Sequence, residues 1–321
     1  MIVRLVLAVG ALAISAAVAA QDYPAKPIRM LTPWPPGGGT DIVTRLVSAK
    51  LAEAWGQQVV VENRAGATGT IGTDLVAKSA PDGYTLIIGT NATHVLAVSL
   101  LPSLPYDQQK DLTPVTRIAA VPHIIAVNPS VNARTLGELI ALAKAGPGKI
   151  AFGSAGNGST PHLAGELFKS IAGVDLQHVP YKGTGQSLQD TLGGQVQVSF
   201  DTMPSVLPHI KSGKLRALAI AGPKRVSALP EVPTVAEAGA PGAEGMTWYG
   251  MFGPAGLPPE IVRKLHAEVV KIVALPDVKA RLDALGSDET ASASPEEFAA
   301  MVRADIAKYA KVIKAAGLKL D

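Results

Sequence analysis

The sequence predicts an α/β fold made of two successive series of strands and helices. Short β-branched or apolar runs alternate with amphipathic segments and with Gly/Pro turns, which is the pattern of an α/β protein. Glycine-rich turns recur between a strand and the next helix in both series. With 321 residues, of which 47% are hydrophobic and 17% charged, the chain is globular and long enough for two domains.

The first series contains a turn of unusual composition, Pro33-Trp34-Pro35-Pro36-Gly37-Gly38-Gly39-Thr40-Asp41. Its prolines stiffen the entry, and its three glycines let another group approach the bare backbone. We expect Thr40 or Asp41 to cap the following helix, whose free amide groups attract carboxylate or phosphate. A second glycine turn covers residues 64–69. The predicted elements are strands over 28–31, 59–61 and 84–89 and helices over 41–54, 71–78 and 91–100.

The second series contains a third glycine turn, Ser154-Ala155-Gly156-Asn157-Gly158-Ser159-Thr160, which leads into a helix with Pro161 at its first position. Asp201 follows a strand in the same series, and it either caps the helix at Pro204 or points into a cleft. The predicted elements are strands over 124–127, 149–153, 176–179, 196–200 and 215–220 and helices over 135–144, 161–168, 187–192 and 205–210.

The C-terminal part is predicted to be mainly helical. Residues 222–245 are rich in Pro, Ala and Gly, and we expect a crossover connection there with a short helical segment near 234–238. The last helix opens with Ser294-Pro295-Glu296-Glu297, a capping box, and its apolar face is expected to be core. The remaining predicted elements are a strand over 247–252 and helices over 259–274, 277–285 and 295–316.

The first 20 residues have the pattern of an export signal. Arg4 supplies a positive charge, residues 5–19 form a short apolar run, and Val18-Ala19-Ala20 offers small residues for cleavage near Ala20. The alternative is an uncleaved membrane anchor, but the run is short and no cluster of stop-transfer charges follows. We therefore expect an exported protein.

Composition excludes several function classes. The formal net charge of +3 is spread without basic runs or interleaved aromatic residues, which argues against nucleic acid as a partner. The chain has no cysteine, so disulfides, thiolate nucleophiles and cysteine-based zinc sites are excluded.

Enzyme motifs are not found. The dinucleotide-binding fingerprint is absent because Ile42 stands where its third glycine would be, and no Walker loop is present. The serine hydrolase motif is absent around Ser159 because Asn157 stands in place of its leading glycine. His162 and Glu166 share a helix face and are a possible metal pair, but a local hydrogen bond of His162 is the commoner arrangement. Each glycine turn alone also fits an ordinary strand-to-helix connection.

Seven segments in order resemble the Bug receptors, the periplasmic solute-binding proteins of tripartite tricarboxylate transporters, over essentially the whole mature chain. They are the Pro33–Asp41 turn, Glu62–Gly72, Pro81–Leu86, Thr160–Phe168, Val179–Gly183, Gly193–Val196 and Pro233–Gly239. Gly185-Gln186-Ser187 departs from the family, which usually has Ala-Pro-Ala at this place.

The resemblance implies a two-lobed, flytrap-like periplasmic-binding-protein fold (type II-like) with the ligand cleft between the lobes. Residues 21–120 together with 243–321 would form lobe 1, completed by the C-terminal helices, and residues 121–242 would form lobe 2. The family binds small carboxylates through backbone amides, hydroxyls and bridging waters and delivers them to membrane transporter components. The resemblance implies no catalysis, no metal and no cofactor. We expect a monomer, because it suits lobe closure.

The glycine turns and the resemblance together predict the binding site. One carboxylate is expected at the first two glycine turns, and the other end of the ligand at the third turn and Asp201. Arg64 and Lys182 are the cations near these loops. The alternatives are a sensor subunit that signals to a membrane kinase and an exported enzyme that acts on a carboxylate. The candidate ligand-binding residues are Trp34, Gly37, Gly38, Gly39, Thr40, Asp41, Gly66, Ala67, Thr68, Gly69, Thr90, Asn91, Ser154, Gly156, Ser159, Thr160, His162, Lys182 and Asp201.

Overall fold

The computed structural model describes residues 23–287 and 291–315, so the predicted signal peptide lies outside the described residues. The strands are β1 (Ile28–Thr32), β2 (Val59–Asn63), β3 (Thr85–Thr90), β4 (Leu112–Val127), β5 (Ala151–Ser154), β6 (Gln177–Pro180), β7 (Val198–Thr202), β8 (Arg216–Ala221) and β9 (Met246–Pro254). The helices are α1 (Gly39–Trp55), α2 (Thr70–Ala77), α3 (Ala97–Leu100), α4 (Leu136–Ala145), α5 (Thr160–Ala172), α6 (Thr184–Gly193), α7 (Met203–Lys211), α8 (Pro259–Ala274), α9 (Pro276–Ala284) and α10 (Pro295–Ala315). A 3₁₀ turn precedes α2 and a π-helical turn precedes α3.

The strands form two sheet regions joined through β4. The first sheet has the order β2-β1-β3-β9-β4, and the second has β8-β4-β7-β5-β6. Residues Leu112–Pro122 of β4 pair with β9, whereas His123–Val127 pair with β7 and β8. We call the first sheet with its helices the first lobe, and the second sheet with its helices the second lobe. The two-lobed α/β fold expected from the resemblance is confirmed by the solved structures compared below.

Helices cover both faces of the first sheet. Helices α1, α8 and α9 pack on one face around Val47, Leu265 and Leu282. Helices α3 and α10 cover the other face, where Phe298 of α10 lies against Trp248 and Phe252 of β9. The C-terminal helices therefore pack on the first sheet. Among the described residues, no helix combines the length and apolar character needed to cross a membrane.

The second sheet is also covered on both faces. Phe168 of α5 and Phe152 of β5 both pack against Phe200 of β7 in a core that α4 also covers. Met203 and Val206 of α7 lie in the core of the opposite face. Parallel strands buried on both faces need apolar side chains in both directions, which explains the continuous apolar runs in this part of the sequence.

Two of the predicted helices and strands differ from the structure. The strand predicted over 124–127 is the end of the 16-residue strand β4. The full length of β4 was not predicted because it contains Pro114 and Pro122, and proline has no backbone N–H to donate within a sheet. The pairing of β4 with β9 shifts in register after Pro114 and after Arg117. The helix expected near 234–238 is wrong: Thr234 makes a bridge to Ile220, and a turn follows. The other predicted elements occur with ends shifted by a few residues.

Candidate functional site

The two lobes face each other across a cleft at the carboxyl ends of their parallel strands. Strands β5, β6 and β7 lead into α5, α6 and α7, and β1 leads into α1 on the opposite side. The cavity between them measures about 40 Å³, or about 420 Å³ with the space open to solvent included. It is lined by Trp34, Pro35, Gly38, Gly39, Thr40, Thr90, Ala155, Ser159, Thr160, Pro161, Thr184, Asp201, Thr202, Thr247 and Tyr249.

Four helix N-termini converge on this cavity. The N-cap residues of α1, α5, α6 and α7 are Gly38, Ser159, Gly183 and Thr202, and each is in the lining or directly precedes a lining residue. The first turn of a helix has free N–H groups and a partial positive charge of roughly half an elementary charge. The cavity is therefore suited to an anion that accepts hydrogen bonds.

The side chains of the cavity wall are mainly hydroxylic and neutral. No Lys, Arg or His is among the lining residues. The hydroxyls of Thr90 and Tyr249 are buried and have no hydrogen-bond partner among the described residues. Burial raises the pKa of Tyr249, so its phenol keeps the proton and remains a donor. A ligand that accepts hydrogen bonds would satisfy these groups, which are otherwise costly to bury.

Asp201 is the one ionisable side chain in the lining apart from the tyrosine. It is 3% exposed, and burial raises its pKa to about 6 although the Thr202 backbone N–H donates to Oδ1 at 2.6 Å. Asp201 lies in β7, and the N-cap of α7 is Thr202 without a side-chain cap. Of the two predicted alternatives, the structure therefore favours the position on the cleft.

Gly39 lies where the first lobe closely approaches the second. A Cβ at this position would meet the Tyr249 hydroxyl well inside van der Waals contact and would lie 2.8 Å from Oγ1 of Thr202 in the second lobe. At Gly38 a Cβ would make an ordinary contact, 3.7 Å from Thr184. The close approach to bare backbone that the glycine run predicts therefore occurs at Gly39.

The predicted side-chain cap of α1 is wrong. Gly38 is the N-cap, and no side chain caps the helix. Asp41 instead accepts hydrogen bonds from the Gly37 backbone N–H at 3.1 Å and from Arg45 and Asn63 at 3.0 Å. Burial works to raise the pKa of Asp41, but these hydrogen bonds outweigh it and lower the pKa. Asp41 stabilises the turn from outside the cavity.

The second and third glycine turns meet at the mouth of the cleft. The Thr68 hydroxyl donates to the Asn157 carbonyl at 3.1 Å, which joins the two lobes. Ala67 and Thr68 both have positive φ, 45° and 56°, a conformation that costs free energy in residues other than glycine. Gly66 and Gly69 belong to the same turn and are not in the cavity lining.

Several candidate residues have other partners. The Ser154 hydroxyl is 2.7 Å from Nε2 of His178, and the Gly158 backbone N–H donates to Nδ1 of His162 at 3.1 Å. The expected local hydrogen bond of His162 is thus confirmed.

Other candidate residues lie outside the cleft cavity. Lys182 is exposed and Asn91 borders a second cavity. Arg64 pairs with Glu62, and a Cβ on Gly156 would press on the Tyr181 carbonyl. No cluster of His, Asp and Glu suited to a metal occurs among the described residues.

Part of the cavity wall escaped the sequence reasoning. Thr184 and Thr202 lie at helix starts, a position that could have singled them out. Thr247 and Tyr249 lie inside a buried strand, and no local signal distinguishes them from core residues. The missed lining residues are Pro35, Ala155, Pro161, Thr184, Thr202, Thr247 and Tyr249.

Comparisons with known proteins agree with this architecture. The family model "Tripartite tricarboxylate transporter family receptor" (TctC) matches residues 43–318. Protein BugT of Bordetella pertussis (strain Tohama I) is 41% identical over 308 residues, covering 96% of this chain and 94% of BugT. The structure of R. palustris Rpa4515 with adipate is 37% identical with a TM-score of 0.90, covering 93% of this chain and 99% of that one. MatC (Rpa3494) from Rhodopseudomonas palustris with bound malate is 34% identical with a TM-score of 0.84, covering 91% and 100%.

These matches extend over nearly the whole chain and confirm the resemblance carried by the seven segments. Family members and structural neighbours are solute-binding receptors, so the protein is a receptor and not an enzyme. The chain belongs to the receptor family of the tripartite tricarboxylate transporters.

Proposed function

We propose that the protein captures a small carboxylate in the cleft between its lobes and delivers it to the membrane components of a tripartite tricarboxylate transporter. The convergence of four helix N-termini on a hydroxyl-lined cavity is the observation that carries this proposal. Such a site stabilises a carboxylate by directed N–H and O–H groups without a salt bridge. The adipate and malate bound by Rpa4515 and MatC belong to the same chemical class.

The ligand would hold the two lobes together. The lobe boundaries at residues 120 and 243 remain a prediction, supported by the change of sheet at His123 of β4 and by the C-terminal helices on the first sheet. Lining residues come from both lobes, so a bound ligand favours the closed form over the open one. Closure would give the transporter a surface that differs between the liganded and empty receptor.

Export and assembly complete the proposal. A signal peptide over residues 1–20, cleaved near Ala20, would deliver the chain to the periplasm, the compartment named for a solved structure 42% identical to it. We propose that the mature protein acts as a monomer, because each lobe has its own packed core and the cleft is built from one chain.

Titration calorimetry on mature protein, refolded to remove bound solute, tests the proposal with adipate, malate, succinate and their diamides. We expect at least one dicarboxylate to bind and its diamide not to bind. Gly39→Ala should lower the affinity at least tenfold, because the added methyl group meets Tyr249 of the same lobe and Thr202 of the second lobe at the cleft. Gly38→Ala is the matched control and should stay near the wild-type affinity, since its Cβ contacts Thr184 at 3.7 Å. Folded protein that binds no carboxylate, or equal effects of the two substitutions, would contradict the proposal.

A further inference from the structure

A series of hydrogen bonds runs from the cleft wall to His123, which borders the second cavity. Nε2 of His123 is 2.8 Å from Oγ1 of Thr247, which is 2.7 Å from Oγ1 of Thr160. Thr160 and Thr247 line the cleft cavity, whereas His123 is not in its lining. The three side chains are 7%, 2% and 2% exposed in that order. His123 is therefore connected to the cleft through two hydroxyls.

These hydrogen bonds lie where the two lobes are joined. Val121 and Pro122 pair with β9 of the first lobe, and His123 is the first residue of β4 to pair with β7 and β8 of the second lobe. Thr247 belongs to β9, and Thr160 is the first residue of α5. The hydrogen bonds thus join three elements at the floor of the cleft.

The tautomer of His123 decides whether the two hydroxyls have a hydrogen left to donate to a ligand. If Nε2 carries the proton, the ring and the two hydroxyls contribute three hydrogens, and the two internal hydrogen bonds use two of them. One hydrogen then remains for the cleft, at Thr160 or Thr247. If Nε2 is bare, only two hydrogens are available and both are used internally. The two hydroxyl oxygens would then present only lone pairs to the cleft, and lone pairs repel a carboxylate.

We propose that His123 is held as the Nε2–H tautomer and thereby leaves the hydroxyl pair Thr160 and Thr247 one hydrogen to donate toward a carboxylate in the cleft. This inference rests on the proposed function for the identity of the ligand. The residue itself does not touch the ligand. Its tautomer decides whether the hydroxyl pair has a hydrogen left for the cleft, and the Nε2–H form therefore favours ligands that accept a hydrogen bond there.

The surroundings of the other ring nitrogen agree with this tautomer. Nδ1 has no hydrogen-bond partner among the described residues, and it faces Gly245, where a Cβ would lie 3.0 Å away. A proton on Nδ1 would be a buried donor without an acceptor. Burial also lowers the pKa of His123 to about 3, so the ring is neutral and carries a single N–H near neutral pH.

The first test does not depend on any ligand. Ring-nitrogen NMR of ¹⁵N-histidine-labelled protein reports which nitrogen of each imidazole is protonated, and the His123→Gln variant identifies the signals of His123. We expect a protonated Nε2 and a bare Nδ1. A protonated Nδ1 with a bare Nε2, or an imidazolium at pH 7, would overturn the inference whatever the protein binds.

The second test uses adipate as the probe, measured by calorimetry. The variant that carries both Thr160→Val and Thr247→Val removes both hydroxyls and should lower the affinity about tenfold or more, the usual effect of losing one hydrogen bond to a charged group. His123→Leu leaves two hydroxyl hydrogens and one internal hydrogen bond, so one hydrogen stays free for the cleft and the affinity should stay within about threefold of wild type. Thr247→Ser retains the hydroxyl and should also stay within about threefold of wild type.

The two proposals fail in different ways. Wild-type affinity in the variant that lacks both hydroxyls, or a tenfold loss in His123→Leu, would overturn the donor role of the hydroxyl pair while leaving the receptor function intact. If wild-type protein binds no adipate while the NMR shows a protonated Nε2, adipate is excluded as the ligand and the donor chain stands. A bare Nε2 together with tight adipate binding supports the receptor and rejects the donor role of the hydroxyl pair.

Discussion

Replacing Asp201 by asparagine should change how the stability of the protein depends on pH. The carboxyl group is 3% exposed, and burial raises its pKa from 3.8 to about 6. Asparagine has nearly the same shape and keeps an oxygen to accept the hydrogen bond from the Thr202 backbone N–H. The substitution thus removes the charge and leaves the packing close to unchanged.

The sign and size follow from the shift in pKa. Between pH 3.8 and about 6 the folded protein binds more protons at this site than the unfolded chain, so the free energy of unfolding falls as pH rises. Raising the pKa from 3.8 to about 6 corresponds to about 3 kcal/mol of unfolding free energy. The loss of unfolding free energy caused by the buried charge is complete above about pH 6 and absent below pH 3.8. We expect Asp201→Asn to be more stable than wild type by up to about 3 kcal/mol at pH 7.5, and the gain to shrink toward zero near pH 4.

Urea unfolding of ligand-free protein at intervals from pH 4 to pH 8 measures this difference. Asp277→Asn is the control: this carboxyl is exposed and its hydrogen bond with Lys50 lowers its pKa, so any small effect has the opposite sign. A stability difference between wild type and Asp201→Asn that is the same at pH 4.5 and pH 7.5 would refute the reasoning.

Three further predictions concern closure, the first lobe and the cleft wall. Thr68→Ala removes the hydrogen bond to Asn157 across the cleft mouth and should speed ligand release about two- to tenfold in stopped-flow measurements; an unchanged rate would mean that this contact does not hold the lobes. Phe298→Ala should destabilise the protein by about 3–5 kcal/mol in urea unfolding, because the ring is fully buried on the first sheet, and a loss under 1 kcal/mol would contradict that packing. Ligand should change the fluorescence of Trp34, which lines the cavity; the change should disappear in Trp34→Phe and persist in Trp55→Phe.

Much of the fold was predictable because its signals are local. The strand β1, the helix α8 with its proline at the first position and the long amphipathic α10 follow from periodicity and cap residues within a few positions. The strand β4 was underestimated because its partners, β9 and β7, are distant in sequence and its two prolines imitate a loop.

The candidate site was predictable where a residue belongs to a glycine turn or a helix start. Trp34, Gly39, Ser159 and Thr160 lie in such turns, and all four are in the cavity lining. Asp41 belongs to the same turn as Gly39, but its carboxylate contacts Arg45 outside the cavity. Composition can identify a turn, but it does not decide which way each side chain of that turn points.

The sequence by itself determined the α/β class, the glycine turns at helix starts and the membership of the receptor family, because these depend on neighbouring residues and ordered motifs. Only the tertiary structure decided that Tyr249 meets Gly39 and that His123 reaches the cleft through Thr247. Those contacts join residues from distant parts of the chain, and they arise when the sheets pack and β4 passes from one lobe to the other. Long-range packing of this kind leaves no local pattern in the sequence.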